Sequence, residues 1–260
     1  MTSINSNIPI IILAGGKGER FINKENLPKQ LTTIAKHPII IEIILYYYKK
    51  GFNFFILPLG FKKKFFFDFF NNKKNINKYN LNIITKKFLQ KKNKINILLF
   101  DAGRNTNKFL RIKKSIKLIN DNNYNIGVCY GDIFANIAFD NELSKLNKSK
   151  ADAVLSAYKE NSPFGHLDIK NNFVKKFVEK PKMTKPINIG FYFFKKKVFL
   201  NTKSNKFKDL ESEFLPYLAN QKKLLYHLHN GFHFTVNSQK DLIDIKKKIK
   251  KNKIFFNKLL

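Results

Sequence analysis

Residues 10–21 read IIILAGGKGERF, an apolar run that leads directly into three glycines and an arginine. The chain has 11 glycines in 260 residues, so three of them within four positions is a marked concentration. A buried strand followed by a glycine-rich loop commonly aims backbone N–H groups at a phosphate. The spacing matches neither the dinucleotide-binding fingerprint nor the P-loop. Alone, the stretch therefore predicts either a phosphate-binding loop or a structural tight turn.

The composition is strongly basic, with 50 lysines and arginines against 18 acidic residues and a formal net charge of +32. Such a charge suggests nucleic acid or an anionic membrane as a partner. Only three of these residues are arginine, however, and the lysines accompany many asparagines, isoleucines and phenylalanines, which all have A/T-rich codons. We attribute the charge to an AT-rich gene. In such a chain glycine and arginine should persist mainly where backbone conformation or a planar guanidinium requires them.

The sequence also bounds the cellular setting. The single cysteine, Cys129, excludes a disulfide framework, and no cysteine or histidine cluster has zinc-ligand spacing. The apolar run at residues 8–14 is too short for a signal core, and Glu42 interrupts the run at residues 38–48. We therefore expect a soluble, cytoplasmic protein without a membrane span.

Short apolar runs alternate with helix-length segments, which is the pattern of βα units around a mainly parallel sheet. Strands are predicted at residues 9–14, 54–59, 95–100, 124–130 and 151–158, with helices at 38–50, 105–120 and 139–147. Shorter strands are predicted at residues 164–169, 173–178 and 187–194, as an antiparallel or mixed extension of the same sheet, and a final helix pair at 210–221 and 239–251.

The sequence shows no linker, so it predicts one domain over residues 1–245 and a basic, helical C-terminal tail over residues 246–260. The segment from residue 62 to 94 gives no clear pattern. Its dense aromatic patch, residues 65–70, is interpreted as core or as a contact between subunits.

Charged residues stand at the ends of several predicted elements. Lys29 lies in LPKQL after a proline, Asp132 follows a strand in CYGDIF, and Glu179 and Lys180 end a strand in VEKP. Open α/β sheets bind ligands at the carboxyl ends of their strands. A carboxylate such as Asp132 at that edge needs a hydrogen bond, an ion pair or a metal. Taken one at a time, these residues also fit a solvated surface.

Taken in order, the motifs resemble those of the sugar-1-phosphate nucleotidyltransferases. The matching segments are LAGGKGERF, PKQL, YGDIF, PFGHLDI, FVEKP, INIGFYFF and GFHFTVNSQKDL. The resemblance covers about residues 8–245 and is closest to the glucose-1-phosphate cytidylyltransferase branch. It implies an α/β fold of the GT-A-like nucleotidyltransferase type: a single-domain, Rossmann-like, mixed but mainly parallel sheet flanked by helices.

The resemblance also implies an activity. Such enzymes let a sugar 1-phosphate attack a nucleoside triphosphate, here CTP, with Mg²⁺ present, and they make nucleotide-sugars for polysaccharide biosynthesis. The catalytic residues that it implies are Lys29, Arg20, Asp132 and Lys180. Those implied for the nucleotide are Leu13, Gly15, Gly16, Gly18, Arg20 and Arg111. Those implied for the sugar phosphate are Gly165, Glu179, Lys180 and Asn188, and those for the metal are Asp132 and Asn237.

Two departures from the family pattern bear on this expectation. Asn237 stands where the family usually has an aspartate, so we expect weaker metal binding. Residues 108–110, Lys-Phe-Leu, stand where the branch has Thr-Gly-Gly before Arg111, which places two bulky apolar groups beside the expected nucleotide pocket. The base, and turnover itself, are left open by these changes.

Three alternatives therefore remain at the level of the sequence. The same chemistry could use another nucleoside triphosphate or sugar phosphate. The chain could be a degenerate paralogue that binds a nucleotide without turnover. It could bind nucleic acid through charge alone, but no recognition motif supports a specific nucleic-acid partner. A homo-oligomer is compatible with all of these, because family members often oligomerise.

Overall fold

A computed structural model describes residues 7–16, 21, 27–34, 36–84, 90–119, 124–204 and 206–251, with side chains up to residue 247. The strands in this part of the chain are β1 (Ile10–Leu13), β2 (Phe54–Leu59), β3 (Leu81–Ile84), β4 (Ile95–Asp101), β5 (Asn125–Tyr130), β6 (Ile133–Ala135), β7 (Ala153–Tyr158), β8 (His166–Lys170), β9 (Phe173–Val178), β10 (Ile187–Lys195), β11 (Leu224–His229) and β12 (His233–Thr235).

The α-helices are α1 (Ile39–Lys49), α2 (Lys63–Asn71), α3 (Lys73–Lys78), α4 (Lys108–Ile116), α5 (Phe139–Asn147), α6 (Lys197–Leu200), α7 (Leu215–Asn220) and α8 (Gln239–Lys251). A 3₁₀ turn spans Lys29–Leu31, and a π-helical turn spans Leu210–Phe214. Among the residues described, no helix combines the length and the apolarity that crossing a membrane requires.

The main sheet has eight strands in the order β11-β7-β10-β5-β1-β2-β4-β3. All neighbours pair in parallel except β10, which runs antiparallel to both β5 and β7. Successive side chains of a strand point to opposite faces, so Ile10 and Ile12 pack on one face with α1 while Ile11 packs on the other with α4. Helices cover both faces, as parallel strands require. The predicted mixed, mainly parallel sheet is confirmed.

The hairpin formed by β8 and β9 corrects one prediction. These two strands pair only with each other and do not extend the main sheet, and every residue in them is exposed. In β8 apolar residues alternate with polar ones, as in a half-buried strand, but Leu167 and Ile169 are 51% and 66% exposed. Of the three late strands that the sequence predicts, only β10 joins the main sheet.

The segment from residue 62 to 94 contains α2, α3 and β3, none of which the sequence predicts. Phe66 and Phe70 are fully buried, so the interpretation of the aromatic patch as core is correct for these two side chains. The final helix pair is also more complex than predicted, because β11 and β12 lie between α7 and α8. The division at residue 245 stays a prediction; α8 crosses it, and residues 252–260 lie outside the described part.

The helix that follows β4 begins at Lys108 rather than at residue 105, because the Asn107 side chain accepts a hydrogen bond from the N–H of Leu110 at 2.8 Å and caps it. Phe109 then packs into the core on the same face of the sheet as Ile11. It is fully buried, and its ring centre lies 4.9 Å from that of Phe214 and 5.6 Å from that of Phe199. Phe109, which the sequence places beside the expected nucleotide pocket, is therefore a core residue that does not line the cleft described below.

Phe109 should instead matter for stability. We expect Phe109→Ala to lower the free energy of unfolding by about 3–5 kcal/mol, because the ring leaves a cavity that its aromatic neighbours fill only in part. Leu110→Ala is the matched control. Because Leu110 is only half-buried, this substitution should lower the free energy of unfolding by about 1 kcal/mol. Urea unfolding of the two variants checks this, and equal midpoints would contradict it.

Candidate active site

A cleft of about 530 Å³ opens at the carboxyl ends of β1 and β5. Gly15 and Gly16 form one wall and residues 104–108 the opposite one, while Lys29 and Asp132 contribute charged groups. This is the edge where open α/β sheets bind ligands. The cleft therefore collects residues that lie far apart in the sequence.

Lys29 and Asp132 form an ion pair in this cleft. Their side chains are 13% and 19% exposed, so both charges are largely withdrawn from water. In such surroundings two opposite charges attract each other more strongly than they do at the surface. The ammonium Nζ of Lys29 also donates to the carbonyl of Val236 at 3.1 Å. Val236 in turn donates its N–H to the carbonyl of Asp132 at 2.9 Å. Two of the four predicted catalytic residues thus stand in direct contact.

The pairing of β6 with β12 places Val236, the residue before Asn237, beside Asp132; Asn237 itself is not among the residues that line the cleft. In this antiparallel pair Thr235 lies opposite Ile133, so the residues that follow Thr235 run back alongside Asp132. Asn237 is exposed, and its N–H donates to a carboxylate oxygen of Asp241 at 3.0 Å. Among the described residues no group of three or more His, Cys, Asp or Glu side chains could hold a metal by itself. The predicted metal role of this pair stays a prediction.

Arg111 contributes to the lining of the cleft, although it is only 5% exposed. Its guanidinium donates to the carbonyls of Pro58 and Thr106 at 2.8 Å, of Gly103 at 3.1 Å and of Gly15 at 3.2 Å. Burial lowers the pKa of this group, and the nearby Asp101 charge partly opposes that shift. The predicted nucleotide-binding residue is thus bonded to the protein backbone on several sides.

A network of tyrosines connects the predicted sugar residue Asn188 to the cleft. The side-chain amide of Asn188 donates to the hydroxyl of Tyr192 at 2.7 Å, and that hydroxyl lies 3.2 Å from the hydroxyl of Tyr130, which lines the cleft. Lys108 stands over the Tyr130 ring, with Nζ 4.9 Å from its centre, and pairs with Glu211. Lys108 therefore faces the cleft while Phe109 does not.

Asp209 adds a second carboxylate to the cleft wall. Burial raises the pKa of Asp209, but hydrogen bonds from Ser212 and the N–H of Glu211 outweigh that effect and hold the pKa below its usual range. The carboxylate caps the turn that begins at Leu210. Its charge is therefore fixed by local structure.

The other predicted sugar-phosphate residues lie away from the cleft wall. Gly165, Glu179 and Lys180 belong to the exposed β8–β9 hairpin and its ends and do not line the cleft within the described part of the chain. The side chains of Glu179 and Lys180 are about 60% exposed, and their charged atoms lie 3.7 Å apart. Gly18 and Arg20 fall outside the described residues, so their predicted roles are not addressed by the structure.

Sequence reasoning missed the segment from Arg104 to Asn107 and the residues Tyr130 and Asp209 as cleft residues. A signal for the first was present. Gly103 has a φ of +100°, which favours glycine, and Asn107 caps the following helix. Together they indicate a sharp loop at a strand end, the position where ligands bind.

Comparison with known proteins agrees with this architecture. The nucleotidyl transferase family model matches residues 10–252. A Bacillus subtilis protein assigned as a probable glucose-1-phosphate cytidylyltransferase is 30% identical over 91% of this chain and 94% of its own length. The glucose-1-phosphate cytidylyltransferase of Salmonella typhimurium is 28% identical over 90% of this chain and 92% of its own.

Solved structures share the fold at lower identity. The structure of HddC from Yersinia pseudotuberculosis complexed with GMP-PN superposes with a TM-score of 0.66 at 21% identity, over 93% of this chain and 99% of that one. A Bacillus anthracis protein assigned as a glucose-1-phosphate thymidylyltransferase, solved with sucrose, gives a TM-score of 0.68 at 15% identity over 93% and 94% of the two chains.

A strand that ends in a glycine loop, on a mainly parallel sheet with a charged cleft at its carboxyl edge, defines a nucleotide-handling α/β protein. The chain belongs to the nucleotidyl transferase family, and the prediction of a sugar-1-phosphate nucleotidyltransferase is confirmed.

Proposed function

We propose that this chain transfers a cytidylyl group from CTP to glucose 1-phosphate and releases pyrophosphate. The observation that carries the proposal is the largely buried Lys29–Asp132 pair in the cleft at the carboxyl ends of β1 and β5. The two relatives named as glucose-1-phosphate cytidylyltransferases support the choice of substrates. The product, CDP-glucose, would be a nucleotide-sugar for polysaccharide biosynthesis in the cytoplasm.

In this reaction a phosphate oxygen of glucose 1-phosphate attacks the α-phosphorus of CTP. The bond from the α-phosphorus to its bridging oxygen breaks, and pyrophosphate leaves with that oxygen and its electron pair. The protein then has mainly to align the two phosphates and to stabilise the charge that builds up. We assign the second task to the Lys29 ammonium, and the binding of the triphosphate to the backbone around Gly15 and Gly16. Asn188, Glu179 and Lys180 are proposed for the sugar phosphate.

We propose that Asp132 and Asn237 hold a magnesium ion at this edge of the cleft. Asp132 offers a carboxylate and Asn237 an amide oxygen, and Mg²⁺ in phosphate-binding sites takes one or two carboxylates with its remaining ligands from phosphates and water. When bound, the ion would neutralise the developing charge on the phosphates. An asparagine supplies less charge than the aspartate usual at this position, so we propose a magnesium site of reduced affinity.

The substitution Asn237→Asp tests that proposal. We expect the variant to reach half-maximal rate at a Mg²⁺ concentration about 5- to 10-fold lower than the wild type, because a second carboxylate strengthens oxygen coordination. Rates of pyrophosphate release across a Mg²⁺ titration measure this. Ser238→Asp is the control, since it adds the same charge one residue further along the chain. A magnesium dependence that is unchanged in Asn237→Asp, or shifted equally in both variants, would contradict the proposal.

The same site favours a second candidate with another base, because solved relatives include HddC with GMP-PN and a protein assigned as a thymidylyltransferase. A screen separates the candidates: the protein is incubated with CTP, UTP, dTTP or GTP, each with glucose 1-phosphate, and pyrophosphate is measured. The highest rate with CTP is the expected result. A preference for another nucleotide overturns the choice of CTP but keeps the transfer chemistry. No release with any of the four, together with measurable nucleotide binding, favours the degenerate paralogue.

A further inference from the structure

We propose that Arg111 is a positioning residue: from the wall of the cleft it holds the ends of three strands together and directs backbone N–H groups at the triphosphate, while its own N–H groups donate to protein carbonyls rather than to the nucleotide. The proposal rests on the proposed function in one respect, namely that a nucleoside triphosphate binds in this cleft. It differs from the nucleotide-binding role that the family resemblance implies, because it assigns the guanidinium to the protein backbone.

The hydrogen bonds of Arg111 reach the ends of three strands. Gly15 follows β1, Pro58 lies at the end of β2, and Gly103 and Thr106 belong to the loop after β4. A planar guanidinium with five fixed donors can bridge several carbonyls at once, which an ammonium on a flexible chain cannot do. Arg111 therefore sets the spacing between the two walls of the cleft.

The direction of these carbonyls determines the direction of the next N–H groups. In a planar trans peptide the C=O and the following N–H point in opposite directions. The carbonyls of Gly15, Gly103 and Thr106 point down at Arg111, so the N–H groups of the residues that follow them point away from it. Those residues are Gly16, Arg104 and Asn107, and all three line the cleft. None of their N–H groups has a hydrogen-bond acceptor among the described residues.

The packing of two glycines gives independent support. A Cβ added at Gly60 would collide with Nη2 of Arg111 and would lie 2.8 and 2.9 Å from its Nη1 and Cζ, so its nearest neighbours all belong to this one side chain. A Cβ at Gly15 would collide with Nη1. At Gly16 a Cβ would meet nothing within 4 Å. Gly15 and Gly60 thus make room for the guanidinium, whereas Gly16 leaves the cleft itself open.

The buried positive charge of Arg111 also favours binding of the triphosphate. Arg111 is bonded to neutral carbonyls, so its positive charge is only partly compensated within the protein. A cation in a poorly solvated place attracts an anion over a longer distance than a surface cation does. A triphosphate above the loops would be that anion.

The first test measures nucleotide binding. CTP, UTP, dTTP and GTP are titrated into the wild type and into Arg111→Lys by calorimetry. We expect the Kd of the bound nucleotide to rise about 10- to 100-fold in Arg111→Lys, because the charge stays while the carbonyls lose their common donor. In steady-state assays the KM for the nucleotide should rise in parallel, with kcat reduced less than about tenfold and the KM for glucose 1-phosphate unchanged. A role in stability alone would lower Tm and leave these KM values equal.

The second test is a double-mutant cycle that needs no ligand. Gly60→Ala should lower Tm by about 5–10 °C in the wild type but by less than about 2 °C in Arg111→Lys, because lysine has no Nη atoms to collide with the new methyl group. Gly16→Ala is the control and should change Tm little in either background. If Arg111→Lys is too unstable to purify, Arg111→Met gives the same cycle.

The outcomes separate the two proposals. No binding of any of the four nucleotides to the wild type overturns the proposed function, while the cycle still decides whether Arg111 occupies the space between Gly15 and Gly60. Unchanged nucleotide affinity in Arg111→Lys, with a wild type that binds, overturns the positioning role. Equal Tm losses for Gly60→Ala in both backgrounds overturn the packing that the role requires.

Discussion

Lys29→Met is expected to lower kcat for nucleotidyl transfer by about 100- to 1,000-fold, which is the range found when one preorganised donor to a developing charge is removed. Methionine matches the length of the lysine stem but carries no charge. The ammonium lies against Asp132 in a cleft of restricted solvent access, where a fixed cation stabilises a phosphoryl transition state more than it would in water. Its removal also leaves the carboxylate of Asp132 without its partner, which makes the cleft less positive.

The second effect predicts a change in binding as well. With an uncompensated carboxylate facing it, the triphosphate should bind about 5- to 10-fold more weakly to Lys29→Met. Pyrophosphate release gives kcat and KM, and thermal unfolding reports the fold.

Lys63→Met is the matched control for this change. Lys63 also pairs with an aspartate, Asp101, but its side chain is 47% exposed and does not line the cleft within the described part of the chain. Exposed ion pairs contribute little to stability, and Lys63 lies outside the cleft, so this variant should retain kcat within about twofold. A kcat in Lys29→Met equal to that of Lys63→Met would overturn the assignment of Lys29.

The strands that decide the fold could be predicted because their signal is local. β1 is a short apolar run between Pro9 and Gly15, and β2 is one that ends before Gly60; such runs in an α/β pattern are buried by helices on both faces. Local pattern was sufficient here because burial and strand propensity agree.

The β8–β9 hairpin could not be placed from its sequence for the opposite reason. β8 alternates apolar and polar residues and β9 carries two Phe-Val pairs, yet Phe173 and Phe177 are 79% and 62% exposed. Whether such a pair of strands joins a larger sheet depends on which strand edges are free. In the main sheet, β10 lies between β7 and β5 and occupies the edges of both. Strand order is a property of the whole chain, which no local window contains.

The candidate site divides in a similar way. Lys29 and Asp132 were predicted as site residues from the order of the motifs, and the structure places these two side chains in contact. The contacts of Arg111 could not be predicted, because they depend on five carbonyls supplied by the end of β2 and by the loops after β1 and β4. An arginine in a motif suggests a bound anion. Whether its N–H groups are free to bind that anion depends on how many of them already donate to backbone carbonyls.

Asp132→Asn is expected to lower kcat by about 1,000-fold or more, because the substitution removes the charge that we assign to magnesium coordination while keeping the volume of the side chain. Asp68→Asn, at an exposed position on α2, is the control and should leave kcat unchanged. Steady-state rates at saturating Mg²⁺ measure the difference. A loss of less than about tenfold would contradict the assignment of Asp132.

The two variants should differ in nucleotide binding, and this difference distinguishes a shared site from two independent defects. Asp132→Asn leaves Lys29 unpaired and makes the cleft more positive, so metal-free CTP should bind as tightly as to the wild type or up to about 10-fold more tightly, whereas Lys29→Met weakens it. In the double variant the two charges are lost together, and the affinity for metal-free CTP should return to within about threefold of the wild-type value.

The kcat of the double variant gives a second readout. Because the effects of residues that act as a unit are not additive, the fold-loss in its kcat should be far smaller than the product of the two single fold-losses. Losses in kcat that multiply, with binding changes of the same sign in both single variants, would show that Lys29 and Asp132 do not act as one unit.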